Sequence, residues 1–435
     1  MRDSRVERIR VIAVAFAATL SSTLVHGGGS TDGSVGAVQN LSGNFAIPES
    51  LGAVRGSNLF HSFSRFNVDF GESATFTTTS SNLQNVISRV TGGQVSTIHG
   101  ILKLQAAPGS APAFYFVNPA GVVFGAGAVI DVPSSFHVST AQSIKFGDGF
   151  IWNTGSANQS SLTIAPPEAF GFLGSRSAAP VAIDTSKSDP AELTQRLELT
   201  PNSTLSIAAG DIQVGSRIIA IPGGKLRLSS TGADTVDVPV SHSQANPPPL
   251  SGPLTVSGAS ICADAACSIA MQSGGMRFQG SSIGVLDKDG VPGGSISFRG
   301  ADITLDNSRV FSATTSNSNA NPILIEAAGQ LHLTNGGRVV TSTSGVGATS
   351  QIDIKAGSMM VRRGNASSTG VSALATTSSS GNFGQINIDV AGELSILASG
   401  QISADGGLTG SSGSLNVNAG AIRIDGQNTG SIDTG

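Results

Sequence analysis

The sequence predicts an all-β fold: one elongated parallel β-helix, a solenoid with loop excursions. Three observations predict it. A repeat of near-constant length runs through the C-terminal third, and apolar residues inside each repeat alternate with a period of two. Turn residues also outnumber charges, with 56 glycines and only 12% charged residues in 435.

The repeats are clearest between residues 293 and 435. They read "GGSISFRGADITL" (293–305), "NPILIEAAGQLHL" (321–333), "SQIDIKAGSMMV" (350–361), "GQINIDVAGELSI" (384–396) and "GSLNVNAGAIRI" (413–424). Each has a polar start, an alternating strand, a small-residue turn near Ala-Gly and a second alternating strand. Third pieces such as "GGRVVTSTS" (336–344) and "SGQISADGG" (399–407) lie between them. With Ile296, Ile323, Ile352, Ile386 and Leu415 as markers, the steps are 27, 29, 34 and 29 residues. A period in this range is the mark of a solenoid. The inner period of two makes the repeating element a strand and excludes helical repeats. Three short strands per unit describe one coil, which cannot bury its apolar side alone. Coils stacked about 4.8 Å apart supply the core.

The rest of the chain is taken from the N-terminus. Arg2, Arg5, Arg8 and Arg10 precede the apolar run "VIAVAFAATL" (11–20), and small residues follow. That order is a secretory signal peptide, placed at 1–27, and the run is too short to span a bilayer. No later segment reaches about 18 uninterrupted apolar residues, so no transmembrane segment is expected in the mature chain. Plentiful Val, Ile and Leu argue against disorder. Glycine without a third-residue period excludes collagen. A net charge of −4 leaves no electrostatic footprint for nucleic acid.

"VNPAGVVFGAGAVIDV" (117–132) opens on a sharp turn. Asn118-Pro119-Ala120-Gly121 suits a type I turn, with Pro119 presetting φ and Asn118 able to bond its own turn. Val122, Phe124, Ala128, Ile130 and Val132 then alternate as one strand. "TLSIAAGDIQVGSRIIAIPGGKLRLSS" (204–230) repeats the strand-turn grammar, whereas "SDPAELTQRLEL" (188–199) reads as a short capped helix. "SHSQANPPPLSGP" (241–253) is too rich in donor-less proline for sheet pairing and reads as an excursion.

Several ordered segments carry a family resemblance: "NLFHSFSRFNVDFGESATFT" (58–77), "NVISRVTGG" (85–93), "VNPAGVVFGAGAVIDV" (117–132), "LTPNSTLSIAAGDIQV" (199–214) and "IPGGKLRL" (221–228). Together they resemble the filamentous-haemagglutinin-type N-terminal domain of two-partner secretion exoproteins. The resemblance implies a right-handed β-helix, secreted or displayed on the surface of a Gram-negative bacterium after passage through the periplasm. It also implies a partner, an outer-membrane barrel transporter whose periplasmic domains recognise the N-terminal domain. The family's Asn-Pro-Asn-Gly-Ile motif is matched by Asn118, Pro119 and Gly121, with Ala120 for the second Asn and Val122 for Ile. With Phe124 and Gly125 these residues form the candidate transporter-recognition or fold motif. The family's second tetrad, Asn-Pro-Asn-Leu, has no match. The implied domains are secretion domain 36–240, a Pro-rich excursion with irregular coils 241–292, and repetitive stalk coils 293–435, incomplete because "GSIDTG" ends in mid-repeat. An adhesin-like protein follows, whose receptor is a host or environmental glycan or protein.

Cys262 and Cys267 are the only cysteines, and in an exported chain "CADAAC" can close a small disulfide loop. No metal or cofactor is expected. β-Helices also serve as carbohydrate-active enzymes, so a secreted polysaccharide lyase or glycosidase is the alternative. Its site would need clustered carboxylates with Arg or Lys along one groove. Asp302, Glu326, Asp353, Asp389 and Glu393 stand singly, so no enzyme is expected. Gly280-Ser281-Ser282-Ile283-Gly284 fits G-x-S-x-G but lacks a strand-to-helix elbow. "LDKDGVPGG" (286–294) lacks the closing Glu of a calcium loop. His61, His99 and His137 read as ordinary strand or turn residues.

Overall fold

A computed structural model describes residues 27–435, apart from 159–160, 175–178, 184–195, 241–247, 264–265, 288–292, 316, 365–367, 376–383, 406–412, 426–430 and 434–435. The signal peptide assigned to 1–27 therefore lies, but for its last residue, outside the described residues. The architecture is a parallel β-helix, and the strong preference of parallel crossovers for the right hand gives the expected sense of its coils. Each coil contributes one strand to each of three columns. The first column runs through Asn58–Asn67, Asn85–Val90, Ala113–Val117, Phe136–Ser139, Thr204–Ala209, Lys225–Ser230, Ser268–Gln272 and Ile296–Gly300. The second runs from Ser96–Ile98 through Val122–Phe124, Pro180–Ile183, Asp211–Val214, Pro253–Ser257 and Gly275–Gln279 to Asp302–Asp306. The third column begins as Phe45–Pro48, Ser73–Thr77, Ile101–Gln105 and Val129–Asp131, then continues from Arg196–Glu198 to Ser431–Asp433.

In the later coils the first two columns fuse into single strands, Ile323–Thr334, Ile352–Arg362, Ile386–Leu397 and Leu415–Asp425, each turning at its Ala-Gly pair or small-residue step through a register shift. The repeat markers meet in space: Ile296 pairs Ile323, Ile323 pairs Ile352, Ile352 pairs Ile386 and Ile386 pairs Leu415. The four isoleucines are fully buried, each stabilising the stack by roughly 2 kcal/mol of apolar burial.

Two features distinguish the N-terminal coils. Gly28–Thr31 runs antiparallel to Asn58–Asn67 and to Asn40–Ser42, closing an edge that would otherwise invite pairing. An antiparallel sheet of Ser143–Phe146, Ile151–Asn153, Pro167–Leu173 and Thr235–Pro239 lies outside the coils. It covers the outward side chains of the first column, so Phe60, Ile87, Tyr115 and Val117 pack with Ile144, Phe146, Trp152, Phe170 and Phe172 in a second core. Outward positions on those strands are accordingly apolar, which the alternation rule assigns to water.

Three expectations need correction. Val122 to Val132 is two strands, Val122–Phe124 and Val129–Asp131, in different columns, because Gly125-Ala126-Gly127 turns the corner between them. Arg196–Glu198, assigned to a capped helix, is a strand whose Leu197 faces the core, and 188–195 lies outside the described residues. The coils placed in the irregular stretch 241–292 are in register from Pro253 onward. Pro253 is tolerated because it opens its strand.

Candidate functional site

The Asn118 turn is built from inside the coil. Asn118 follows the buried strand Ala113–Val117 and is itself fully buried. Its backbone N–H donates to the Ser139 carbonyl at 3.0 Å, and its carbonyl accepts from the Gly121 N–H at 3.0 Å, closing the turn. Its side-chain Nδ2 donates to the Gln94 carbonyl and to Ser96 Oγ, both at 2.9 Å, while Oδ1 accepts from the Ala120 N–H at 2.9 Å. The asparagine thus spends both ends of its amide on the coil below and on its own turn. Gly121 sits at φ +120, where a Cβ would also come 3.1 Å from the Pro180 carbonyl oxygen.

Val122 and Phe124 point into the core, in register with Ser96 and Ile98 on one side and Val181 and Ile183 on the other. At Gly125 a Cβ would lie 2.1 Å from the His99 ring. Arg217, itself buried, locks this corner: Nη1 donates to the Gly125 and Ala126 carbonyls at 2.8 and 2.9 Å, and Nη2 to the Ala128 carbonyl at 2.5 Å. Asn118, Gly121, Val122, Phe124 and Gly125 are all buried, and in the turn Pro119 and Ala120 reach the surface, half-buried near exposed Val95. The structure brings the six motif residues into one coil. Cys262 and Cys267 lie apart, bonded to each other just after Ser260–Ile261 in the third column.

Sequence reasoning passed over the polar cluster that ties cap, coil and outer sheet together. Arg89 is fully buried; Nε donates to Ser62 Oγ at 2.7 Å, Nη2 to Ser34 Oγ at 2.9 Å, and Nη1 to the Asn153 carbonyl. Burial lowers its pKa to about 10 against the pull of Asp32. Burial raises the Asp32 carboxyl, but hydrogen bonds from Ser62, Ser34 and Thr91 outweigh it and hold the pKa below the usual value. Asn85 Nδ2 donates to Asn58 Oδ1 at 2.9 Å, and Asn58 Nδ2 reaches the Ala165 carbonyl at 2.7 Å. Farther along, His137 stacks on Tyr115 with centroids 4.5 Å apart, and burial plus nearby Arg227 lower its pKa to about 3. The available signal was a lone Arg inside the buried strand "NVISRV" (85–90).

A second feature lies farther down the helix. A groove of about 560 Å³ runs along the coils, with Arg299, Glu326, Lys355 and Asp389 on successive rungs and Leu250 at one end. Arg299 Nε and Glu326 Oε2 are 2.8 Å apart.

A parallel β-helix closed by antiparallel strands and sheathed on its first coils by an outer sheet is the class that fold and site define. The chain belongs to the TPS secretion domain family, whose model matches residues 24–247. Membership makes it an exoprotein of a two-partner secretion system. Among solved structures it is similar to the HMW1 secretion domain from Haemophilus influenzae, at 17% identity and a TM-score of 0.36, over 92% of this chain and 98% of that one. No curated protein matches the chain. Among the described residues no helix is long and apolar enough to cross a membrane.

Proposed function

We propose that the capped N-terminal coils are the part read by the periplasmic domains of an outer-membrane barrel transporter, and that the later coils form an adhesin-like stalk carried to the cell surface or medium. One observation carries this reading: the family match over 24–247 coincides with the cap and the outer sheet, which ends at Thr235–Pro239. Coils beyond it are bare repeats. The division suits export. Long-range parallel pairing folds slowly, so the chain can remain threadable in the periplasm, and each coil that stacks outside draws the next through without nucleotide hydrolysis. Asn118 acts in this scheme by shaping the coil, and Pro119 and Ala120 are what the motif offers to a partner.

The test is export in a Gram-negative host with and without the cognate transporter. Appearance in the medium or at the surface only with the transporter supports the reading; retention in the periplasm with a working transporter overturns it.

A second reading, a carbohydrate-active enzyme, is favoured by the Arg299–Asp389 groove, which places acidic and basic residues on neighbouring coils. Against it, Glu326 is held by Arg299 and Lys355 stands between Glu326 and Asp389 in the ladder. That pattern offers each carboxylate a cation and leaves neither free as a general acid. Depolymerisation of an acidic or neutral polysaccharide that Glu326→Gln abolishes would establish the enzyme.

A further inference from the structure

The third column carries a trough unrelated to the turn or to the charged groove. Ser260, Ser282, Arg309, Arg338, Gly370 and Gln401 stand in register on six successive coils, a span of about 24 Å at the usual strand spacing. Small or neutral residues at both ends leave the two arginines as the only charges among the described residues that line it. Two cavities of about 260 Å³ each flank the pair, and both arginines line both cavities.

The arginine platform is assembled layer by layer. Gly284 makes room for Phe311, because a Cβ there would lie 2.1 Å from the ring. The Arg309 guanidinium then lies over Phe311, its central carbon 4.3 Å from the ring centroid. Arg338 pairs Arg309 in register on the next rung and donates from Nη1 to Ser368 Oγ at 3.1 Å. No described carboxylate pairs with either. Asp306, three residues before Arg309, accepts hydrogen bonds from Thr334 and Asn335 and forms no ion pair with either arginine. Like charges directly opposite are destabilising, and burial together with Arg338 lowers the Arg309 pKa. In a chain of net charge −4, an uncompensated cationic pair on a hydroxyl-lined trough is a feature that an oxyanion would complete.

We propose that this trough binds an acidic polysaccharide, its sugar carboxylate held by Arg309 and Arg338 and its hydroxyls met by Ser260, Ser282 and Gln401 along the coils. The guanidinium fork matches a carboxylate in two parallel hydrogen bonds. An acidic peptide fits less well. The backbone groups of these strands are already paired coil to coil, so no strand can be added here. The inference rests on the adhesin-like reading and gives it a ligand class and a place. Binding is measured on purified protein without a transporter, so each can fail alone.

The experiment is titration of the full chain at low ionic strength with polygalacturonate oligomers, neutral dextran and poly-glutamate. Arg338→Gln removes half of the pair. Ser368→Asp sets a carboxylate against Arg338 without removing a buried side chain, and exposed Arg277→Gln is the charge control. Polygalacturonate should bind, weaken with salt, and lose about tenfold or more in affinity in Arg338→Gln and Ser368→Asp but not in Arg277→Gln. Ser368→Asp should also raise the melting temperature of the ligand-free chain. No binding by the wild-type chain, or equal binding by the trough variants, overturns the proposal. Poly-glutamate binding as tightly and through the same arginines would overturn the saccharide assignment in favour of a peptide site.

Discussion

The Arg89 guanidinium lies over the indole of Trp152, its central carbon 4.3 Å from the ring centroid, and so joins a coil strand to the outer sheet. The same side chain binds Ser34 of the N-terminal cap and Ser62 of the coil before it. One cation thus ties the outer sheet, a sheet separate from those of the coils, to strands of the cap and coil that already pair with one another. Trp152 is the only tryptophan of the chain and is fully buried. Arg89→Met should therefore shift its emission to longer wavelength and lower stability by about 3 kcal/mol or more, because several charge-assisted hydrogen bonds and a cation–π contact are lost. Unchanged emission with unchanged stability would show that the outer sheet docks without Arg89.

Asn118→Ala removes three side-chain hydrogen bonds from a buried site. A loss of about 2–4 kcal/mol is expected in chemical denaturation, with export falling alongside it. Ala120→Asn separates contact from folding, since Ala120 is half-exposed and its side chain bonds nothing. Export that rises in Ala120→Asn at constant stability would mark this surface as read by the transporter. No change would leave the motif with its structural role alone.

Acid should destabilise the fold through two buried histidines. Burial lowers the His61 pKa to about 4, outweighing Leu51 and Glu49, and His137 is lowered to about 3. Above pH 6.5, the ordinary histidine value, both folded and unfolded chains hold neutral rings and the linkage vanishes. Below it the unfolded state binds protons that the native state refuses, so stability declines from about pH 6.5 toward about pH 4, by on the order of several kcal/mol in all. Denaturation midpoints measured across that range should flatten in a His61→Leu, His137→Ser double variant.

The bond between Cys262 and Cys267 closes a loop of sequence separation 5. A loop so short restrains little of the unfolded chain, so the double Cys→Ser variant should lose only about 2 kcal/mol. Export should be unaffected, because a bridge this local does not obstruct threading. A cysteine pair placed instead at opposite ends of the secretion domain and oxidised should block export. Normal export of that form would count against an unfolded passage.

Much of the stalk was legible because its information is local. Ile323, Leu324 and Ile325 alternate in, out and in, and their partners 29 residues on do the same in Ile352, Asp353 and Ile354. The corner at Gly125 was misread as strand because its residues continue the apolar alternation. Gly125 and Gly127 let it turn and Arg217 holds it, with partners about 90 residues earlier in the chain. Arg89 escaped notice for the same reason: its partners in the cap and the outer sheet are 55 and 64 residues away.

By itself the sequence determined the strand class, the length of the coil and the inward side chains of each rung, since period and spacing are written residue by residue. The tertiary structure alone decided which outward faces are covered and which are bare. Phe60 and Tyr115 are outward residues buried by the outer sheet, whereas Arg309 and Arg338, also outward, lie against Phe311 and Ser368 and meet no carboxylate among the described residues. Alternation separates in from out, but what stands outside a coil depends on where distant loops return, and no local period carries that.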